Sequence, residues 1–222
     1  MDYCAAGIKE FLRERPRVLF VPFARPSGIS YEDYSGRAQD RFAQMGLELS
    51  GIEAATDQCA AAATAEAIFI GGGNTFLLLR SLYEAKLLDI LRERVASGVP
   101  YMGTSAGANV AGLTIGTTND MPIVLPPTLD ALGLVPFNIN PHYIDPEPDS
   151  KHKGETRETR IKEFHVLNKQ PVIGLREGAW LEIRDKSMTL RGKAGARLFR
   201  RGREPAEFKT GDDLSFLLSS DA

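Results

Sequence analysis

Apolar runs and amphipathic stretches alternate along the first half of the chain. Asp2 to Arg15 reads as a helix, with Ile8, Phe11 and Leu12 on one apolar face. Pro16 ends it, because the residue before a proline is pushed out of the helical region. Arg17 to Pro22 is a buried-strand run. Tyr31 to Met45 is a helix closed by Gly46 at its C-cap, and Leu47 to Ile52 is a second strand. The alanine-rich Thr56 to Glu66 predicts a helix, and Ala67 to Ile70 a third strand running into Gly71-Gly72-Gly73-Asn74. Helical patterns return at Thr75 to Tyr83 and Lys86 to Ala96. Val99 to Met102 is a short buried strand, and Ala106 to Ala111 a helix of small residues. Strands alternating with helices predict an α/β fold: a mostly parallel sheet with helices on both faces. The continuous apolarity of the strands fits burial on both sides.

The second half has another pattern. Gly112 to Ser150 is a long proline-rich stretch, of the kind that is usually functional or disordered. Glu155 to Leu167 is a helix of mixed charge with Ile161, Phe164 and Leu167 on its buried side. Pro171 to Leu175 is another buried strand. Ala179 to Arg184 and Ser187 to Arg191, joined at Asp185-Lys186, form an antiparallel hairpin. Arg197 to Arg200 and Asp213 to Leu218 add short strands. With no repeat and no linker, residues 1–222 read as a single α/β domain, which suits the length.

Composition narrows the partners. A net charge of −2 gives no reason to expect nucleic acid or an acidic membrane. No apolar run reaches the length of a membrane span, and no signal peptide is evident at the start. Cys4 and Cys59 lie far apart in no ligand-like spacing, so they read as reduced thiols of a cytoplasmic protein. The three histidines do not cluster at metal-ligand spacing, so neither metal nor cofactor is expected.

The chemistry gathers where the fourth strand meets its helix. Gly103-Thr104-Ser105-Ala106-Gly107 has the G-x-S-x-G spacing, which on a strand-to-helix turn lifts a serine hydroxyl above the sheet edge. The flanking glycines suit a turn too tight for β-carbons. The Ala106 N–H and the helix dipole would then face a developing oxyanion. Alone, the motif reads equally well as a small-residue turn where a helix packs closely on a strand. A serine nucleophile needs a base. His165 lies in a helix beside apolar positions, and His152 lies between two lysines in a polar loop. His142 follows the short apolar segment from Phe137, at a strand end of the kind where α/β sheets gather functional groups, and is the preferred base. The candidates for its orienting carboxylate are Glu177, on a turn at the end of another strand, and the competitors Asp120 and Asp145, between which position alone does not decide. Gly71-Gly72-Gly73-Asn74 lacks the spacing of a nucleotide loop. It suits a second oxyanion donor, the N–H of Gly72 or Gly73.

These residues belong to longer matching stretches. Ile70-Gly71-Gly72-Gly73-Asn74-Thr75-Phe76, Ser105-Ala106-Gly107-Ala108-Asn109, Thr117-Thr118-Asn119-Asp120-Met121-Pro122-Ile123-Val124, Asn140-Pro141-His142, His152-Lys153-Gly154-Glu155-Thr156-Arg157 and Gly174-Leu175-Arg176-Glu177-Gly178 occur in one order. In this the chain resembles the peptidase E family of α-aspartyl dipeptidases, serine peptidases with a fold similar to the class I glutamine amidotransferases. The likeness runs from about Phe20 to Trp180. The family usually opens with a β-strand, whereas this chain starts at what resembles the following helix. The resemblance implies a Ser105–His142–Glu177 triad and a functionally important Asp120. The order Ser-His-Glu differs from the Ser-acid-His of the α/β-hydrolases.

The implied activity is hydrolysis of dipeptides with an N-terminal aspartate (Asp-X) through an acyl-enzyme, by a monomer or homodimer. Asp120 is the candidate partner of the substrate's α-amine, although a turn cap is its ordinary alternative. Arg157 and Arg160, three apart on one helix, are candidates for the aspartate side chain, against a plain basic face balanced by Glu155 and Glu158. The rival readings are a cyanophycinase-type peptidase acting on β-aspartyl-arginine and a non-catalytic binding module on the same fold.

Overall fold

Alternate residues of the central strands enter opposite cores. In this computed structural model, which describes residues 2–12, 17–146 and 154–219, the chain divides by its contacts into two compact units. Met1–Ile115 with Asp120–Leu134 forms the first, and Gly116–Asn119 with Val135–Ala222 the second.

The first unit contains α1 (Ala5–Phe11), β1 (Arg17–Val21), α2 (Tyr31–Ala43), β2 (Glu48–Gly51), α3 (Gln58–Ala63) and β3 (Ala67–Ile70). It continues with α4 (Thr75–Glu84), α5 (Leu88–Ala96), β4 (Tyr101–Gly103) and α6 (Ala106–Ala111). Its four strands are all parallel, in the order β2-β1-β3-β4. Leu19, Val21, Ile68 and Ile70 pack with Leu78, Leu82, Leu91 and Val110 from α4, α5 and α6. Val18, Phe20, Ala67 and Phe69 pack instead with Ile8, Leu12 and Phe42, beside α1 and α2. A period of two along each strand thus supplies both helical layers, as the continuous apolar runs predict. Phe69 lies 5.0 Å from Phe20 and 5.4 Å from Phe42, ring centre to ring centre. Each such pair adds about 0.5–1.5 kcal/mol beyond simple burial.

The second unit contains β5 (Asn138–Pro141), α7 (Arg157–Leu167), β6 (Val172–Leu175), β7 (Ala179–Arg184), β8 (Ser187–Gly192), β9 (Ala196–Phe199) and β10 (Ala206–Phe208). A sheet in the order β10-β9-β6-β5 pairs β5 and β6 in parallel and the other neighbours antiparallel. β7 and β8 form the expected hairpin, turning at Asp185 with φ 54°.

Several boundaries differ from the sequence pattern. The first helix opens as a 3₁₀ turn at Asp2–Cys4, and its expected end, Arg13 to Pro16, lies outside the described residues. The alanine-rich helix starts only at Gln58, where the Asp57 side chain accepts the Ala60 N–H at 3.0 Å. Leu167, expected on the buried side of α7, is 86% exposed, whereas His165 is buried. Six residues beyond Ile161 put Leu167 about 120° away from the buried stripe on an α-helix. Asp213 to Leu218 is no strand: Asp213 makes one isolated bridge to Thr189, and Ser215–Leu218 is a 3₁₀ turn.

Candidate active site

The strand-to-helix turn at Ser105 has the strained geometry that the G-x-S-x-G motif requires. Ser105 sits at φ 52° and ψ −109°, a conformation that L-residues rarely adopt. It is the N-cap of α6, yet its hydroxyl caps no backbone N–H. The two motif glycines are there for close approach. A β-carbon on Gly107 would strike the Ile70 carbonyl of β3, and one on Gly103 the Gly107 carbonyl. Tyr101 Oη donates to that Gly107 carbonyl at 2.6 Å, tying β4 to the first turn of α6.

The glycine-rich loop lies against this turn. A β-carbon on Gly72 would stand 3.0 Å from Ser105 Cβ and 3.3 Å from the Thr104 carbonyl oxygen. Gly73 has φ 148°, and a β-carbon there would collide with the Ala24 carbonyl. The Gly72 N–H donates to Tyr34 Oη at 3.0 Å, so it already has an acceptor. No acceptor for the N–H of Gly73 or of Ala106 is found among the described residues. Of the two glycines put forward from the sequence, Gly73 is the one left with a donor to offer.

Asp120 is placed in the same unit. Its Oδ2 accepts the Thr75 N–H at 2.7 Å and the Thr75 hydroxyl at 2.5 Å, at the start of α4. The buried Asn109 of α6 donates to that hydroxyl at 3.1 Å, linking Asp120 through Thr75 to the helix that carries Ser105. One Asp120 carboxylate oxygen therefore caps the start of α4, forty-five residues earlier in the chain. Neither Thr75 nor Asn109 stands out in the sequence beyond its place in a matching stretch.

The second unit holds the other pair. His142 follows β5 and Glu177 follows β6, and parallel pairing brings both strand ends together. His142 Nδ1 lies 2.7 Å from Glu177 Oε2. A carboxylate only accepts, so Nδ1 carries the hydrogen and the neutral ring keeps its lone pair on Nε2. His142 has φ 54°, and Gly178 after Glu177 has φ 85°, so both loops turn sharply off the sheet. Side chains hold the end of β5. Asn119 Nδ2 donates to the Pro141 carbonyl at 3.1 Å, and the buried Asn140 donates to the Thr117 carbonyl at 2.7 Å.

Asp145, weighed against Glu177 as the orienting carboxylate, is bound elsewhere. Arg176 grips it through Nε and Nη2, both at 2.7 Å, and reaches Glu207 at 2.9 Å. This bidentate pair is a second rung between the loops that carry His142 and Glu177. The Arg176 hydrogen bonds hold the Asp145 carboxyl below its usual range. Those same bonds raise the Arg176 guanidinium. Next to His142, Tyr143 packs on Gly174, and burial pushes its phenol up to about 12.

The remaining sequence candidates are dispersed. Arg157 opens α7 and is half-buried. Arg160 is exposed and lies 3.6 Å from Glu155, in keeping with a solvated basic face. His165 is a buried helix residue whose Nε2 meets the Gln170 carbonyl at 3.0 Å. His152 lies outside the described residues.

Known proteins resemble the chain along most of its length. The model for Peptidase family S51 matches residues 2–191. A "Peptidase E" of Streptomyces coelicolor is 46% identical over 218 residues, covering 98% of this chain and 88% of that protein. A "Probable alpha-aspartyl dipeptidase" of Drosophila melanogaster is 48% identical over 202 residues, covering 90% of this chain and 83% of that protein. Among solved structures, a peptidase from an acI-B1 actinobacterium superposes with a TM-score of 0.74 at 18% identity, covering 97% and 92% of the two chains. A putative peptidase E protein from Listeria monocytogenes superposes with a TM-score of 0.66 at 22% identity, covering 86% and 93%; at such identities these two likenesses speak for the fold alone. The family match over most of the chain and the extent of these sequence identities establish that the chain belongs to peptidase family S51.

Proposed function

We propose that the chain is a serine dipeptidase that hydrolyses Asp-X dipeptides through Ser105, His142 and Glu177. The observation that carries this reading is the His142–Glu177 pair, because it makes Nε2 the basic nitrogen of the ring. Ser105 Oγ attacks the scissile carbonyl while His142 Nε2 takes its proton. The N–H groups of Ala106 and Gly73 hold the oxyanion. His142 then gives the proton to the leaving amine. Water repeats the sequence on the acyl-enzyme, and no cofactor takes part.

Substrate choice follows the charges of an N-terminal aspartate. Asp120 answers the α-amine, and Arg157, with Arg160 as the alternative, answers the side-chain carboxylate. The substrate class is supported by the name of the Drosophila relative. Residues 1–222 act here as one peptidase domain, as a monomer or homodimer, without nucleic acid or membrane. No helix among the described residues is long and apolar enough to cross a membrane. A cytoplasmic location is part of the proposal, and it is supported by Cys4 and Cys59, neither of which is in a disulfide.

Two measurements test it. A fluorophosphonate probe should label Ser105 in the wild-type chain and nothing in Ser105→Ala. Steady-state hydrolysis of Asp-Leu, β-Asp-Leu, β-Asp-Arg and Glu-Leu should favour Asp-Leu. Preference for a β-aspartyl substrate would replace the reading with the cyanophycinase type. A folded chain that neither labels nor hydrolyses any of them is a binding module.

A further inference from the structure

We propose that Tyr34 is a positioning residue for catalysis: its hydroxyl fixes the plane of the Gly72–Gly73 peptide, so that the Gly73 N–H and not the Gly72 carbonyl serves the oxyanion. This rests on the reading of Ser105 as a nucleophile.

The geometry is specific. Tyr34 Oη accepts the Gly72 N–H at 3.0 Å and donates to the Gly72 carbonyl at 3.3 Å. One hydroxyl thus uses its donor and an acceptor on a single glycine. The Gly72 carbonyl and the Gly73 N–H belong to one trans peptide and point in opposite directions. Holding the carbonyl toward Tyr34 therefore turns the Gly73 N–H away from it. The peptide lies between two glycines, so side chains do little to hinder its rotation, and the alternative orientation needs a separate restraint. That alternative would present a carbonyl to a developing negative charge, which is repulsive where the reaction needs a donor.

The ring is itself held in place. Tyr34 lies on α2, four residues after the N-cap Ser30, and its N–H bonds the Ser30 carbonyl at 3.0 Å. Phe20 of β1 meets it edge-on at 5.1 Å, and the Arg25 guanidinium covers it at 4.5 Å. A Gly71 β-carbon would stand 2.7 Å from Tyr34 Oη, so the glycine loop closes directly over the hydroxyl. The Gly72 site for a β-carbon, 3.0 Å from Ser105 Cβ, puts this restraint one residue from the nucleophile.

The test is Tyr34→Phe, which removes one oxygen and keeps the ring between Phe20 and Arg25. Loss of a whole oxyanion donor costs about 10²–10³ in kcat, and a donor left unrestrained should cost less, about 10- to 100-fold. kcat for Asp-Leu should fall by that factor with KM within about twofold, because the restraint acts on the transition state. Labelling by the fluorophosphonate should slow by a similar factor, whatever the peptide substrate. Affinity for an aspartyl aldehyde, which forms a tetrahedral adduct, should weaken, while a reduced-amide Asp-Leu isostere binds as before. The thermal midpoint should drop by no more than about 4 °C. Wild-type labelling rates and kcat in a folded Tyr34→Phe would overturn the role and leave the dipeptidase reading standing. So would equal losses for the aldehyde and the isostere, which mark a general loosening. A wild-type chain that does not label removes the nucleophile and this role with it. A labelling wild type that hydrolyses no Asp-X overturns only the substrate assignment.

Discussion

Gly72→Ala probes how closely the glycine loop abuts Ser105, the proposed nucleophile. Its φ is not in the left-handed region, so an alanine there brings no backbone strain. The effect must come from contact. The new β-carbon would stand 3.0 Å from Ser105 Cβ, 3.3 Å from the Thr104 carbonyl oxygen and 3.7 Å from Ser105 Oγ. Carbon atoms in good contact lie about 3.5–4.0 Å apart, so loop and elbow must separate by at least about 0.5 Å. Ser105 already occupies a strained conformation between β4 and a helix start whose glycines touch backbone, and it has little room to adjust. A misplacement of 1 Å at reacting groups costs about 10²-fold, so half of that should cost at least about tenfold. The expected loss is therefore about 10- to 100-fold in kcat/KM, or about 1.4–2.7 kcal/mol of transition-state stabilisation. Overpacking by one methyl should cost about 1 kcal/mol of fold stability, a fall of about 2–4 °C in Tm. The assay is initial-rate hydrolysis of Asp-Leu beside a thermal melt. Gly36→Ala is the control, since α2 leaves open space there; it should gain roughly 0.4–1 kcal/mol and keep full activity. Full activity in a folded Gly72→Ala would refute the close approach of the loop to Ser105.

Ser105→Ala and His142→Ala should each lower kcat by about 10³ or more, and the double variant by about as much as either, because the residues act as a unit. Multiplicative losses in single-turnover assays would break the triad. Arg157→Met should cost Asp-Leu about 2–4 kcal/mol in kcat/KM and Asn-Leu much less, whereas Arg160→Met should change neither by more than about twofold. Equal losses on both peptides with Arg157→Met would make it a structural residue. Titration of stability should also expose the rung beside the dyad. The Asp145 carboxyl is lowered in the folded chain, so its contribution is present above the ordinary carboxylate pKa, about 3.9, and is lost as pH falls through the lower folded value. Asp145 is about half exposed, so solvent screening limits the pair's worth to about 1 kcal/mol; Asp145→Asn should remove the same amount at pH 7, measured by urea unfolding. Tyr143 acts at the other extreme. Its folded value of about 12 exceeds the unfolded 10, so its contribution is full below pH 10 and declines as pH rises toward 12, and Tyr143→Phe should flatten that decline. A decline unchanged in Tyr143→Phe would assign the alkaline loss to other groups.

Local chemistry made much of this protein legible in the chain. β1 and β3 follow from continuous apolar runs, which need only alternate sides to fill two cores. The elbow at Ser105 follows from Gly103 and Gly107, because a turn that brings α6 onto the Ile70 carbonyl has no space for a β-carbon. His142 and Glu177 stand at the ends of strands, and strand ends are visible as the close of an apolar run. What the sequence does not carry is pairing between residues far apart in the chain. Nothing local distinguishes Asp145 from Glu177: parallel pairing of β5 with β6 brings Glu177 to His142 and puts Arg176 against Asp145. Choosing between Gly72 and Gly73 needs Tyr34, thirty-eight residues earlier, whose hydroxyl engages the Gly72 N–H. Leu167 escapes the apolar pattern because α7 carries only a weak one, in which Leu167 faces solvent while His165 is buried. Side-chain periodicity is set by bonds within a segment, and so it is written in the sequence. Hydrogen-bond partners are set by which segments fold together, and so only the tertiary structure decides them.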